Sequence, residues 1–174
     1  MEVWKEFDQN VITHSAAHHL MAIDDLVQRL GYARVSDIAR ALSITRGSVS
    51  ISLAPHIKCG LIVQDENKHL RLSEQGQALV DSIKAKRDLM RTLFADVLGV
   101  DPEQAEIDAC KMEHLLSNET ARRLMAFLRF LDADSTRRRR LLQEWRAFDA
   151  GCNHDPSDCP SCSGGVCVAD ALTQ

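Results

Sequence analysis

The sequence predicts a mainly α fold: an N-terminal winged helix-turn-helix followed by an all-helical second half. Three observations predict it. Apolar residues recur at helical spacing through most of residues 13–148. Two short helical stretches meet across the three residues 43–45, SIT. The polar turn DENK at 65–68 sits between two short apolar runs, as in a hairpin.

The first helix is expected over 13–30, with Thr13 as its N-cap and Gly31 just past its end. Leu20, Ile23, Leu26, Val27 and Leu30 follow its apolar face, while His14, His18, Met21 and Asp25 share another stripe at steps of four, three and four. His14 and His19 are expected at the surface. Ser36, ahead of DIARAL, reads as the cap of a short second helix, and residues 46–58 form a third that ends at Gly60. In a helix-turn-helix this third element enters the major groove. It begins with Thr45, Arg46, Ser48 and Ser50, small polar groups and one guanidinium suited to phosphates and base edges. Pro55 falls inside it and is expected to kink or shorten it. The hairpin that follows is the wing, from which Lys68 and Arg71 can reach backbone phosphates.

One long amphipathic helix is expected over 73–98, with Leu79, Val80, Ile83, Met90, Leu93, Phe94 and Val97 on its apolar side. GVDPEQ breaks the chain and places Pro102 near the start of the next helix. Helices follow at 103–116, 119–131 and 135–148, the last carrying Arg137–Arg140 on what reads as a solvated face. These apolar faces exceed what one small body can hide, so a helical homodimer is expected. The organisation is 1–73 as the winged helix-turn-helix, 74–150 as the helical domain and 151–174 as a Cys-rich tail.

The 174 residues are 45% hydrophobic and 26% charged, in keeping with a globular chain. No apolar run approaches a membrane span, and MEVWKEFDQN lacks a signal peptide's apolar stretch, so no membrane association and a cytoplasmic location are expected. The net charge of −4 argues against a broadly basic nucleic-acid binder. Its distribution matters more. The tail carries Asp155, Asp158 and Asp170 with no Lys or Arg, so removing those three charges from −4 leaves −1 on residues 1–150. Within 34–58, Arg34, Arg40, Arg46 and Lys58 face Asp37 alone, and a local basic surface is what phosphate contact requires. Arg34 and Ser36 join the candidate DNA-contacting residues.

ACKMEH at 109–114 raises a different chemistry. Side chains at i, i+3 and i+4 share a helical face, so Cys110, Glu113 and His114 can converge on a metal ion, though a buried thiol beside a solvated Glu and His gives the same pattern. The tail is a second candidate: C-x6-C-x2-C-x4-C places Cys152, Cys159, Cys162 and Cys167 within sixteen residues, enough to enclose Zn(II) or hold an iron–sulfur cluster. The Gly/Ser/Pro setting and irregular spacing favour the cluster, and His154 is a substitute ligand.

YARVSDIARAL at 32–42, the hairpin, and VDPEQAEIDACKMEHLLS at 100–117 together resemble the DtxR/MntR family of metal-dependent repressors, over roughly residues 14–131 and in one order. The resemblance implies a homodimer whose binding to double-stranded operator DNA is driven by Fe(II) or Mn(II). It also implies that the first helix supplies ligands that meet the CxxEH segment. Carried over by position, the metal site is His18, Cys110, Glu113 and His114, with Met21 a further candidate. Cysteine at 110 is similar to the iron-responsive branch, whereas manganese-responsive members usually carry Glu there. His18 departs from both branches, which tend to have Met or Asp. A thiolate with imidazoles favours Fe(II), Co(II), Ni(II) or Zn(II) over the harder Mn(II). Where relatives place a ligating His and Glu on the long helix, this chain has Arg87 and Arg91, so a second metal site is not expected; nor is the SH3-like domain of longer members.

The function these readings imply is a metal-responsive DNA-binding transcriptional repressor that senses Fe(II) or Mn(II) and controls metal homeostasis genes. The alternative within the same class makes the tail cysteines the main sensor, through an iron–sulfur cluster. An enzymatic role is not expected, because no general base or substrate pocket is evident beside the candidate ligands.

Overall fold

The computed structural model describes residues 12–149; Cys152, His154, Cys159, Cys162 and Cys167 lie outside the described residues, so the tail reading stands as an expectation. Helix α1 (His14–Leu30) starts where the hydroxyl of extended Thr13 accepts the Ala16 amide. It stops where Gly31, at φ 81°, turns left-handed and donates its amide to the Val27 carbonyl. Helix α2 (Val35–Ala41) leads through a tight turn into α3 (Arg46–Lys58), where Thr45 accepts the Ser48 amide. Strands β1 (Ile62–Gln64) and β2 (Leu70–Leu72) pair antiparallel, with Ile62 opposite Leu72 and Gln64 opposite Leu70. Asp65 organises their turn by accepting the amides of Asn67 and His69 at 2.9 and 2.8 Å.

Helix α4 (Glu74–Arg91) is capped by Ser73, which accepts the Gly76 amide. Gly76 cannot be replaced cheaply, because a Cβ there would stand 2.1 Å from the Leu61 carbonyl oxygen. Glycine therefore lets α4 start hard against the wing. A π-helical segment, Thr92–Leu98, continues it to Gly99 at φ 78°. Helix α5 (Pro102–Met112) has Asp101 as cap and Pro102 at its first position. Helices α6 (Asn118–Asp132) and α7 (Ser135–Asp149) complete the described chain.

The core gathers Leu20, Ile23 and Leu26 of α1 with Ile38, Val49, Leu53, Ile62, Leu70, Val80 and Ile83. Each such side chain contributes about 1.5–3 kcal/mol by leaving water. Helix α1 packs on α2, α3, β2 and α4, and α4 packs along α5. The first helix is thus the central member of the first compact unit, which runs to Met125. The expected boundary at residue 73 falls inside this unit. In the second unit, from Ala126 onward, Leu128 and Leu131 are buried while Phe127, Phe130, Trp145 and Phe148 remain exposed. Arg137 stacks over the Phe130 ring, 5.1 Å from its centroid. Arg138 reaches Asp132 at 2.8 Å and Arg140 reaches Glu144 at 3.1 Å. Among the described residues no helix is long and apolar enough to cross a membrane.

Four local expectations are corrected. Ser36 is not the cap of α2 but lies in its first turn. The Ala33 carbonyl accepts the Leu70 amide, which holds the chain extended through Arg34 and makes that residue the cap. Pro55 does not shorten α3, which runs on to Lys58. The carbonyl that Pro55 leaves without its amide belongs to Ile51, a residue 78% exposed, so water can serve it. The single helix expected over 73–98 changes to π geometry at Thr92. The helix expected over 103–116 ends at Met112, and the amides of both Leu115 and Leu116 turn back to the Met112 carbonyl.

Candidate metal centre

Two elements supply the donors. Helix α1 presents His14 and His18, one turn apart, and α5 with its C-terminal turn presents Cys110 and Glu113. One ligating atom from each of these four side chains lies within 4.8 Å of all the others. The Cys110 sulfur stands 3.2 Å from His18 Nε2. The His14 ring makes an edge contact with His18 at 4.5 Å between centroids and lies 5.1 Å from His114. Residues 92 positions apart in sequence therefore meet at one point.

The electrostatics of the cluster are unbalanced. Glu113 is fully buried, yet neither of its carboxylate oxygens has a hydrogen-bond donor, and His114 Nδ1 is orphaned in the same way. Leaving such groups unpaired costs about 1–3 kcal/mol each. The nearest cation is Arg87, whose Nη1 is 3.7 Å from Glu113 but whose stronger partner is Glu106 at 2.6 Å. Burial pushes the Glu113 carboxyl up to about 7 against the opposing pull of Arg87. Burial also raises the Cys110 thiol and lowers His18, the latter helped by the neighbouring His14, Arg87 and His114. Each shift disfavours charge in an uncompensated pocket. A divalent cation would bring the Glu113 and Cys110 values back down and keep His18 neutral, because it takes thiolate, neutral imidazole and carboxylate together. The donor set and the orphaned carboxylate thus fit a bound metal ion.

Of the residues expected as ligands, His18, Cys110 and Glu113 are brought together. His114 is not in the gathered group, although its ring lies 5.1 Å from that of His14. Met21 is buried and, with His18, lines an open cavity of about 480 Å³ reaching Asp25, Lys84 and Arg87. That cavity was not foreseen in the sequence. His14 is exposed as expected, but it joins the cluster. His19 is corrected outright: it is only 4% exposed, because it shares a face with Ala16 and Ile23 and points its Nδ1 toward the Ser15 carbonyl and the Ser52 hydroxyl of α3. Arg87 and Arg91 are engaged with Glu106, which leaves no second cluster of donors on α4 among the described residues.

The candidate DNA-contacting residues, at positions 34–71, fall in chain order between the two segments that carry the metal donors. Thr45, Arg46, Ser48 and Ser50 are exposed at the start of α3, with Thr45 and Ser48 hydroxyls bonded to each other at 2.9 Å. Arg34 is exposed and donates to His69 of the wing at 3.0 Å, while Ser36 is half-buried. Lys68 sits at φ 61° in the wing turn and Arg71 is exposed on β2.

Residues 73–142 match the family described as iron dependent repressor, metal binding and dimerisation domain. The chain is 35% identical over 105 residues to the HTH-type transcriptional regulator MntR of Lysinibacillus sphaericus, covering 60% of this chain and 75% of that protein. It is 29% identical over 119 residues to the iron-dependent repressor IdeR of Mycobacterium tuberculosis, covering 68% of this chain and 52% of the relative. The chain thus spans about half the length of the iron-dependent repressors it matches. The crystal structure of T. acidophilum IdeR superposes with a TM-score of 0.55 at 23% identity, covering 67% of this chain and 54% of that one, a likeness of fold.

Proposed function

Because the chain belongs to the DtxR/MntR family of metal-dependent regulators, we propose that it is a homodimeric, metal-responsive DNA-binding repressor that senses Fe(II) or Mn(II) and controls genes of metal homeostasis. The observation that carries this reading is the meeting of His18 with Cys110 and Glu113 around an orphaned buried carboxylate. His18, Cys110 and Glu113 would hold the ion, with Met21 and His114 beside them. When bound, it supplies the positive charge these donors lack and joins α1 to α5. The thiolate and imidazoles favour Fe(II) over Mn(II).

The chain's own residues then explain how binding reaches DNA. Helix α1 packs on α3, so whatever orders α1 also orders the helix whose exposed Thr45, Arg46, Ser48 and Ser50 face outward. In a dimer, two such helices must match half-sites about 34 Å apart. Without the ion the N-terminal turns of α1 lack this tie to α5, and the linked equilibrium shifts toward the DNA-competent spacing when the ion supplies it. The exposed Phe127, Phe130, Trp145 and Phe148 supply apolar area for a second copy. Arg34, Lys68 and Arg71 supply phosphate contacts.

The test is a selection of duplexes from a random-sequence pool with Fe(II)-loaded protein under anaerobic conditions, followed by affinity measurement with and without Fe(II). The expected result is at least a tenfold tightening by Fe(II), about 1.4 kcal/mol, lost in Cys110→Ala and His18→Ala. Equal affinity with and without metal, in parent and variants alike, overturns the reading.

A further inference from the structure

We propose that His14 is itself a ligand of this centre, so that the ion is held by His14, His18, Cys110 and Glu113 as a two-nitrogen, one-sulfur, one-oxygen set closed on its solvent side by His14. The inference deepens the proposed function and rests on it for the existence of the site.

Three features carry it. The ligating atoms of the four side chains already lie within 4.8 Å of one another. With bonds of about 2.0–2.3 Å, any two ligands of one ion stand at most about 4.4 Å apart, so the four need only small rotamer changes to close on it. His14 and His18 are one helical turn apart on α1, a spacing that lets both imidazoles face one ion without any change of backbone. Thr13 caps the first turn of α1 by accepting the Ala16 amide, so the backbone that carries His14 is hydrogen-bonded at its start.

His114 borders the same cluster, its ring 5.1 Å from that of His14 and its buried Nδ1 without a partner. Glu113 is fully buried at the bottom of the site and His14 is exposed at the top, so the set encloses its ion from both ends. Four donors of this kind suit tetrahedral coordination, which Zn(II) and Co(II) adopt readily and Fe(II) accepts, whereas Mn(II) prefers harder oxygen-rich surroundings. His14 is therefore a specificity-determining residue as well as a ligand.

The experiment is a titration of the metal-free full chain with Co(II), followed by visible absorption and repeated with Mn(II) by competition. In the parent, a thiolate-to-cobalt charge-transfer band and intense d–d bands are expected. Cys110→Ser removes the charge-transfer band. His14→Ala keeps that band, weakens Co(II) binding at least tenfold, dims the d–d bands as water replaces the imidazole, and narrows the preference for Co(II) over Mn(II). His14→Cys, which restores a soft donor, recovers the affinity and strengthens the charge-transfer band. Thermal unfolding of the metal-free variants at the parent's midpoint shows that the exposed residue was changed without harm to the fold. If His14→Ala titrates like the parent while Cys110→Ser loses its band, the assignment of His14 is overturned and the metal site stands. If the parent itself gives no charge-transfer band, both fall.

Discussion

Helix α1 is tied to its neighbours by two polar clusters that could hardly differ more. Near its C-terminal half, Asp24 and Asp25 meet Lys84 of α4 at 2.8 and 2.6 Å, and Gln28 adds a donor to Asp24 at 2.9 Å. That cluster contains its own cation and is complete. Near the N-terminal half, His14, His18, Cys110 and Glu113 bring their ligating atoms within 4.8 Å of one another, yet the buried carboxylate has no donor and the nearest guanidinium is drawn away by Glu106. Buried polar groups in a finished structure are paired. The complete cluster is therefore architecture, and the incomplete one marks where the protein expects something from outside.

The largest effect that sharpens this contrast is stabilisation by metal. At a free Fe(II) or Co(II) concentration about 100 times the Kd, folded protein should gain about 2.7 kcal/mol, or about 5–10 °C in Tm. Anaerobic thermal unfolding of the parent and of Cys110→Ala checks it, and an equal shift in both would break the contrast. Glu113→Gln should lose the metal-induced shift without lowering the Tm of the metal-free protein, because it removes a charge that has no good partner there.

The complete cluster should respond in the opposite manner. Lys84→Met leaves Asp24, whose side chain is 6% exposed, without its cation. The expected loss is about 1–2 kcal/mol with or without metal, read by urea denaturation. Its pH dependence follows from the same pair. Burial pushes the Asp24 carboxyl up, but the Lys84 hydrogen bond and charge outweigh it and hold the group below its ordinary 3.8. A lowered carboxyl contributes stability above its unfolded value and loses it as pH falls through the folded one. The stability gap between parent and Lys84→Met should thus be full near neutrality and close below about pH 4, the ordinary carboxylate range. A gap that persists unchanged at pH 2 would contradict the assignment. The smallest effect is expected for Asp25→Asn, whose carboxylate is 56% exposed and whose bond to Lys84 is screened by water; a loss of about 0.5 kcal/mol or less is expected.

What could be read from the residues, and what could not, divides along the same physical line. Local chemistry was legible: Thr13 caps the first helix, Gly31 ends it, and the DENK turn separates two paired strands. These depend on neighbours in sequence. The resemblance added which distant residues meet, and His18, Cys110 and Glu113 do meet. Tertiary effects were not legible. Ser36 has the right residue type for a cap, but the Ala33–Leu70 pairing places the cap two residues earlier, at Arg34. His19 looks like any surface histidine until α3 covers it. His14 was hidden for a related reason: its stripe with His18 was visible, but not that α5 would end facing its first turn. The stripe itself was the signal that could have found it.

The account depends on α1 being fastened to α5 through these donors. Amide hydrogen exchange over α1, with and without Fe(II) under anaerobic conditions, reads that fastening directly. The account predicts slower exchange in α1 when Fe(II) is bound, strongest in the turns around His18, and no slowing in Cys110→Ala. Tight Fe(II) binding by the parent with unchanged exchange along α1 would contradict it.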